Sequence, residues 1–250
     1  MELQLIRSAT LRLGYGGRTW LIDPWLAARG EGKSYAGQRR SPLVDLPIRV
    51  QELLEGVDAV IVSHLHSDHF DDAARELLPR DLPILCAPAD ADAIAADGFT
   101  RVTPIADTRT EDGVRIRRVG GRHGPPEVLG DMGDVSGFVF SHPGEPTLYW
   151  AGDTIFCPEV AATIASARPA VVVVHACGAD WNGKGPLVMD VAMVREVLEA
   201  APDATVVATH LDAVDHATVD RRMLRAFLDA EPGFAPRLRI PADGEALHFA

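Results

Sequence analysis

The chain has 250 residues and a formal net charge of −12, since 36 acidic residues outnumber 24 basic ones. Its hydrophobic fraction of 47% excludes a disordered chain and is sufficient for a sizeable core. The acidic balance argues against a non-specific binder of nucleic acid or of anionic membranes, because such a protein needs a basic patch. A small anionic substrate is still allowed, because a bound metal ion can reverse the local charge.

The cysteines and the N-terminus indicate the cellular environment. Cys86, Cys157 and Cys177 are too few for a disulfide framework and odd in number, which predicts buried thiols in a reducing compartment. The first residues, MELQLIR, include a charged residue and no long apolar stretch, so no signal peptide is predicted. The longest nearly apolar run, residues 169–179, is shorter than the ~20 residues of a membrane span. We therefore expect a soluble, cytoplasmic protein.

Apolar runs and helical periodicity predict alternating strands and helices. Strands are predicted at residues 2–6, 19–22, 59–62, 84–86, 114–119, 137–140, 148–151, 171–175, 205–208 and 237–240. Helices are predicted at residues 48–54, 73–78, 89–96, 160–166, 191–200 and 217–228. Asp71 and Asp190 precede two of these helices as N-caps. This order predicts a layered α/β or α+β fold, with sheets packed together and helices outside, in one domain over residues 1–250.

A dense group of histidines follows the predicted strand at residues 59–62. Residues 63–70 read SHLHSDHF, so His64, His66, Asp68 and His69 fall within six positions. Imidazole and carboxylate groups are the ligands that Zn, Mn and Fe prefer. A polar loop would explain the serine and the aspartate but not three histidines at this spacing. The segment therefore predicts a metal site at the end of a strand.

Three further residues follow predicted strands in the same manner. His123 comes after residues 114–119, Asp153 after residues 148–151, and His210 after residues 205–208. Taken singly, Asp153 is explained as a turn residue and His123 as a loop residue. Their shared position after strands indicates that they point to one sheet edge and complete the metal site.

This ordered set resembles the metallo-β-lactamase superfamily, and the match extends from the Leu-Ile-Asp-Pro segment at residues 21–24 almost to the C-terminus. The resemblance implies an αββα sandwich that binds two metal ions at one edge of its sheets. One ion would be held by His64, His66 and His123, and the other by Asp68, His69 and His210. Asp153 would bridge the two ions.

A narrower resemblance is to bacterial metal-dependent hydrolases related to ascorbate-phosphate lactonase. It rests on Asp23-Pro24-Trp25, on residues 39–47 and on Asp153-Thr154. Zn is the first expectation for the metal, with Mn or Fe as alternatives. A water shared by two cations loses its proton near neutral pH, which predicts hydrolysis of an ester, lactone or phosphodiester by a metal-bridging hydroxide.

Two residues are candidates for catalytic roles beside the metals. Asp68 would be both a metal ligand and a hydrogen-bond partner of the hydroxide. His216 lies six residues after His210 and is close enough in sequence to reach the rim of the cleft. Its alternative explanation is an ordinary position at the start of a helix.

Substrate contacts are predicted from two loops. Lys33, Arg39 and Arg40, in the irregular segment 28–46, offer cationic groups for a phosphate or carboxylate. Trp181 offers a stacking surface and Lys184 an anion contact. The alternatives are a solvated loop and an ordinary Gly-rich turn. We expect a small-molecule substrate that can be anionic, with no nucleic-acid or membrane partner, and homo-oligomerisation is left open.

Two other functions remain compatible with this fold. One is a metal-dependent binding protein without hydrolytic activity, and the other is a di-iron redox enzyme. His66 favours hydrolysis, because the di-iron oxidoreductases of the superfamily have a carboxylate residue in place of this histidine. His175 is expected to be a satisfied core residue or to support the site from outside, and it is assigned no metal.

Overall fold

Two seven-stranded β-sheets form the centre of the computed structural model, which describes residues 1–250. The first sheet has the order β14-β1-β2-β3-β4-β5-β6. Its strands are β1 (Glu2–Arg7), β2 (Thr10–Tyr15), β3 (Arg18–Ile22), β4 (Ala59–Val62), β5 (Ile84–Cys86), β6 (Val102–Pro104) and β14 (Ala246–His248). Strands β3 to β6 run parallel to one another, and the other pairs are antiparallel.

The second sheet has the order β13-β12-β11-β10-β9-β8-β7. Its strands are β7 (Thr108–Glu111), β8 (Val114–Val119), β9 (Gly137–His142), β10 (Glu145–Trp150), β11 (Val171–His175), β12 (Thr205–Thr209) and β13 (Leu238–Arg239). Strands β10 to β13 are parallel, whereas β7 to β10 are antiparallel. Strands β8, β10, β11 and β12 therefore all end at the same edge of this sheet.

Seven helices complete the fold. They are α1 (Val50–Leu54), α2 (Asp72–Leu77), α3 (Ala91–Ala96), α4 (Leu129–Met132), α5 (Pro158–Ala167), α6 (Val191–Ala200) and α7 (Arg221–Ala230). The two predicted N-caps are confirmed, since the Asp71 carboxylate accepts from the Ala74 amide and Asp190 accepts from the Met193 amide. No helix of the structure has the length and apolar character needed to cross a membrane.

Alternation along the strands produces three hydrophobic layers. In β11, Val171 and Val173 point into a core between the sheets, which also contains Trp20 and Phe138. The alternate residues of the same strand join a second core under α5, α6 and α7. A third core lies between the outer face of the first sheet and α1 to α3. This arrangement confirms the predicted αββα sandwich.

Several element predictions are corrected by the structure. The helix predicted at residues 217–228 begins only at Arg221, because Asp220 caps it and the amides of Thr218 and Val219 donate instead to the Cys177 carbonyl. Helix α4 and strands β2, β6, β7 and β14 were not predicted. Most of these missed elements are short, and β7 is largely exposed, so they carry little periodic signal.

Candidate metal centre and its cavity

Loops at the carboxyl ends of four strands bring the predicted ligands together. The histidine-rich segment follows β4, His123 follows β8, Asp153 follows β10, and His210 follows β12. One ligand atom from each of His64, His66, His123 and Asp153 lies within 4.8 Å of the others. A second group with the same spacing contains His69, Asp153, His175 and His210.

Local backbone geometry directs these side chains inward. Gly152 has a φ of +71°, and a Cβ atom there would lie 2.8 Å from the Ser136 carbonyl oxygen, so this turn requires glycine and presents Asp153 to the site. His210 has a φ of +61°, an uncommon conformation for a non-glycine residue. Its amide donates to the Ser8 carbonyl at 2.9 Å, which holds the turn at the end of β12.

Asp153 lies between the two histidine groups. Its Oδ2 atom is 3.1 Å from His69 Nε2 and 3.4 Å from His123 Nε2. Its Oδ1 atom is 2.5 Å from His175 Nδ1 and 3.9 Å from His210 Nε2. The two carboxylate oxygens therefore face different histidines, which is the geometry that a shared ligand needs.

Contacts outside the cluster orient four of the imidazole rings. Each of these rings has its Nδ1 atom against a polar group outside the cluster, which fixes the ring and turns Nε2 toward the other donors. The pairs are His64 with Ser63 Oγ at 2.9 Å, His69 with Asp23 Oδ2 at 2.7 Å, His123 with the Leu187 carbonyl at 3.0 Å, and His210 with Ser8 Oγ at 3.2 Å. Metal-binding histidines in proteins are oriented in this way.

Two inward-facing nitrogens test whether these residues fit a metal. The Nε2 atoms of His64 and His210 are buried and have no hydrogen-bond partner, whereas His175 turns its Nδ1 atom to Asp153. A buried polar atom without a partner is costly, and a cation between these rings would provide one. The nitrogen and carboxylate donors suit Zn, Mn or Fe, so the residues fit the implied group.

Electrostatics in the cluster favour the metal-binding forms of His64 and Asp153 but the protonated form of His69. Burial lowers the pKa of His64 well below its usual value, so this ring is neutral. Burial alone would raise the pKa of Asp153, but the surrounding histidines hold it well below the usual range. Burial lowers the pKa of His69, yet the carboxylates of Asp153 and Asp23 raise it to about 10. An arriving cation would displace that proton.

Asp68 and His175 occupy positions that differ in part from the expected ones. The Asp68 Oδ2 atom lies 3.4 Å from His210 Nε2, so this residue reaches the cluster beside His210. The tight second group nevertheless contains His175 rather than Asp68. His175 is the last residue of the buried strand β11. Its position at a strand end is the same signal that predicted His123, Asp153 and His210 as ligands.

A cavity of about 350 Å³ opens above the cluster. Its floor carries the donors His66, Asp68, His123, Asp153 and His210. Its walls are mainly apolar and aromatic, and they are formed by Tyr35, Leu65, Met132, Ala179, Trp181, Leu187, Val188 and His216. Lys33 is the one Lys or Arg residue among the lining residues. The cavity therefore suits a small substrate with an apolar or aromatic part.

The predicted substrate contacts are only partly at this cavity. Trp181 and His216 line it, but Arg39, Arg40 and Lys184 do not. Arg40 donates to backbone carbonyls of its own loop, and Arg39 lines a separate depression. The Lys184 ammonium instead lies 4.9 Å above the Trp181 ring. Of the cationic contacts predicted from the sequence, Lys33 thus lines this cavity, whereas Arg39, Arg40 and Lys184 lie outside it.

Tyr35 lines the cavity but was not predicted to do so. It is a lone aromatic residue in a loop rich in glycine and charged residues. Its ring packs against the His216 ring with centroids 4.8 Å apart. Its hydroxyl lies 2.8 Å from Ser67 Oγ, directly beside Asp68. Only the folded path of residues 28–46 brings it there.

Comparisons with known proteins agree with this geometry. A family model described as the beta-lactamase superfamily domain matches residues 18–211. The UPF0173 protein YddR of Bacillus subtilis (strain 168) is 38% identical over 255 residues, and the alignment covers 100% of both chains.

Two solved structures are similar over nearly their whole length. The isothiocyanate hydrolase from Delia radicum gut bacteria superposes on this chain with a TM-score of 0.95 and 38% sequence identity. The superposition covers 100% of this chain and 99% of the hydrolase chain. A possible metal-dependent hydrolase from Veillonella parvula DSM 2008 has a TM-score of 0.96 and 31% identity, with the same coverage.

Proposed function

Because the chain belongs to the beta-lactamase superfamily, and within it to the UPF0173 metal-dependent hydrolases, we propose that it hydrolyses small, uncharged isothiocyanates at a binuclear metal centre. The observation that carries this proposal is the cavity, which places apolar and aromatic walls directly above the donor cluster. The similarity to an isothiocyanate hydrolase at 38% identity supports the same substrate class. The cytoplasmic location expected from the sequence is part of this proposal.

The proposed metal sites differ from the two donor groups in one residue, because Asp68 takes the place of His175 in the second. His64, His66 and His123 would hold one ion, and Asp68, His69 and His210 the other, with Asp153 shared between them. His175 would hold the Asp153 carboxylate in place from the other side, through its 2.5 Å contact. When bound, the two ions, Zn in the first instance and Mn or Fe as alternatives, supply an activated water and polarise the substrate.

The protein's own residues would select and orient the substrate. Trp181, Leu187 and Val188 provide an apolar surface for a hydrocarbon substituent and exclude water from it. The reaction R–N=C=S + H₂O → R–NH₂ + COS joins the water oxygen to the central carbon. Both water protons end on nitrogen as the carbon–nitrogen bond breaks.

Esters, lactones and phosphodiesters, the substrate classes expected from the sequence, are the second candidates. A carbonyl carbon is attacked by the same water, so an uncharged ester or lactone fits the cavity chemically. A phosphodiester is less suited, since Lys33 is the one Lys or Arg side chain in the lining and neither Arg39 nor Arg40 reaches it.

A panel of four substrates tests the proposal. The purified protein would be loaded separately with Zn and Mn and assayed with benzyl isothiocyanate, a lactone, a carboxylic ester and a phosphodiester in thiol-free buffer. All three cysteines are buried, so the reagent should spare them. We expect benzylamine and carbonyl sulfide to form.

Two histidine variants provide the control. His66→Ala should lose about 100-fold or more of the activity, whereas His248→Ala, on the exposed edge strand β14, should retain it. Turnover of the lactone or phosphodiester alone would overturn the substrate assignment. Two bound metals with no turnover of any class would overturn the hydrolase proposal in favour of binding or redox chemistry.

A further inference from the structure

A single carboxylate holds the loop that covers one side of the cavity. Asp215 accepts five hydrogen bonds from residues 34–39, which lie more than 170 positions earlier in the chain. The donors are the Ser34 hydroxyl at 2.6 Å and the amides of Tyr35 at 2.8 Å, Ala36 at 3.2 Å, Gln38 at 3.2 Å and Arg39 at 3.1 Å. Hydrogen bonds to an ionised acceptor are stronger than neutral ones, so this set fixes the path of the segment.

The same arrangement fixes Tyr35 at the cavity. The Tyr35 amide is one of the five donors, and its ring packs against His216, the residue that follows Asp215. Its hydroxyl lies 2.8 Å from the Ser67 hydroxyl. A phenolic hydroxyl both donates and accepts, so Tyr35 can accept from Ser67 and direct its own proton into the cavity.

We propose that the hydroxyl of Tyr35 donates a hydrogen bond to the substrate during water addition, and that Asp215 is a positioning residue that places it there. This inference rests on the proposed function. As the water oxygen bonds to the central carbon of the isothiocyanate, negative charge develops on the nitrogen and sulfur atoms. A preorganised neutral donor stabilises such charge. Tyr35 and Ser67 carry the hydroxyls that line the cavity.

Removing the Tyr35 hydroxyl tests the first half of the proposal. Tyr35→Phe keeps the ring against His216 and removes only the donor. We expect kcat to fall about 10- to 100-fold while KM changes less than about twofold, with metal content and Tm unchanged. Tyr149→Phe makes the same chemical change in the buried core, away from the cavity, and should leave both constants unchanged.

The five hydrogen bonds from residues 34–39 to Asp215 form a clamp on this segment. Removing this clamp tests the second half of the proposal. Asp215→Ala should lower kcat to a similar extent and also raise KM, because the whole wall is released. Asp215→Asn keeps one oxygen acceptor and should give intermediate values. If Asp215 acts through Tyr35, the two substitutions should not be additive. Asp215→Ala should lower kcat much less in the Tyr35→Phe background than it does in the wild-type background.

Limited trypsin digestion measures the clamp without reference to activity. Arg39 and Arg40 are exposed, and the Arg39 amide just before the second of them is held by Asp215. Asp215→Ala should be cleaved after them about 10-fold faster than the wild type. Tyr35→Phe, and Asp58→Ala as a remote acidic control, should be cleaved at the wild-type rate. An unchanged cleavage rate for Asp215→Ala would contradict the claim that Asp215 holds residues 34–39 in place.

The outcomes separate this inference from the proposed function. An active wild type with a fully active Tyr35→Phe variant would overturn the role of Tyr35 alone. Additive losses in the double variant would overturn the action of Asp215 through Tyr35. A wild type inactive on the whole substrate panel would overturn the proposed function, and the role of Tyr35 with it, whatever the digestion result.

Discussion

At the scale of single residues, the site depends on acids and histidines whose partners lie far apart in the sequence. Asp153 contacts His69 through one oxygen and His175 through the other. Asp23 supports His69 from behind and also accepts from the Ser63 amide and hydroxyl. Because these contacts fix ring orientation before any ion binds, the donor cluster is largely preorganised.

Replacing the shared carboxylate should therefore be more damaging than replacing a nearby acid. Asp153→Asn is expected to bind fewer than two metal ions per chain and to lose about 100-fold or more of kcat. Asp212→Asn should remain within about twofold of the wild type. Asp212 has a φ of +64°, which asparagine tolerates, and its ion pair with Arg221 lies outside the cluster. Metal analysis and initial rates measure both variants, and equal losses would contradict the shared role of Asp153.

At the scale of elements, the long segment between β3 and α1 is anchored to the sandwich by a buried arginine. The Arg7 guanidinium on β1 donates to the Trp25 carbonyl at 2.7 Å, to Ala27 at 2.9 Å and to Val44 at 3.3 Å. Burial lowers its pKa to about 10, so it stays charged at neutral pH. Both ends of the segment that carries Tyr35 are thus tied to the first sheet.

Loss of this anchor should destabilise the fold. Arg7→Met fills part of the space but leaves three carbonyls without their donor, and we expect the free energy of unfolding to fall by about 3 kcal/mol. Arg115→Met, on the exposed side of β8, should change it by less than about 0.5 kcal/mol. Urea unfolding of the metal-loaded proteins measures both. A loss no larger for Arg7→Met than for Arg115→Met would show that the buried contacts are not stabilising.

At the scale of the whole molecule, the sequence was most informative where a signal was local. The SHLHSDHF segment predicted a metal site because its donors are neighbours in the chain, and alternation predicted the central strands. Tyr35 could not be predicted, because its position depends on Asp215, a contact between distant segments. The true start of α7 likewise depends on contacts of residues 218 and 219 with the Cys177 carbonyl.

Metal binding should couple the site to the stability of the whole fold, because the donors converge only in the folded chain. A ligand that binds only the native state at 1,000 times its Kd adds about 4 kcal/mol, and for a chain of this size each kcal/mol shifts Tm by about 2–4 °C. Chelation should therefore lower Tm by about 10 °C or more, and added Zn or Mn should restore it.

The secondary structure should survive chelation at 25 °C, because the three hydrophobic cores contain none of the donors. Circular dichroism checks this, and differential scanning calorimetry gives Tm. His248→Ala should show the full metal-dependent shift and His66→Ala a smaller one, because only the second variant lacks a donor. An unchanged Tm on chelation, or equal shifts in both variants, would contradict metal binding by these residues, since ions held elsewhere would not depend on His66.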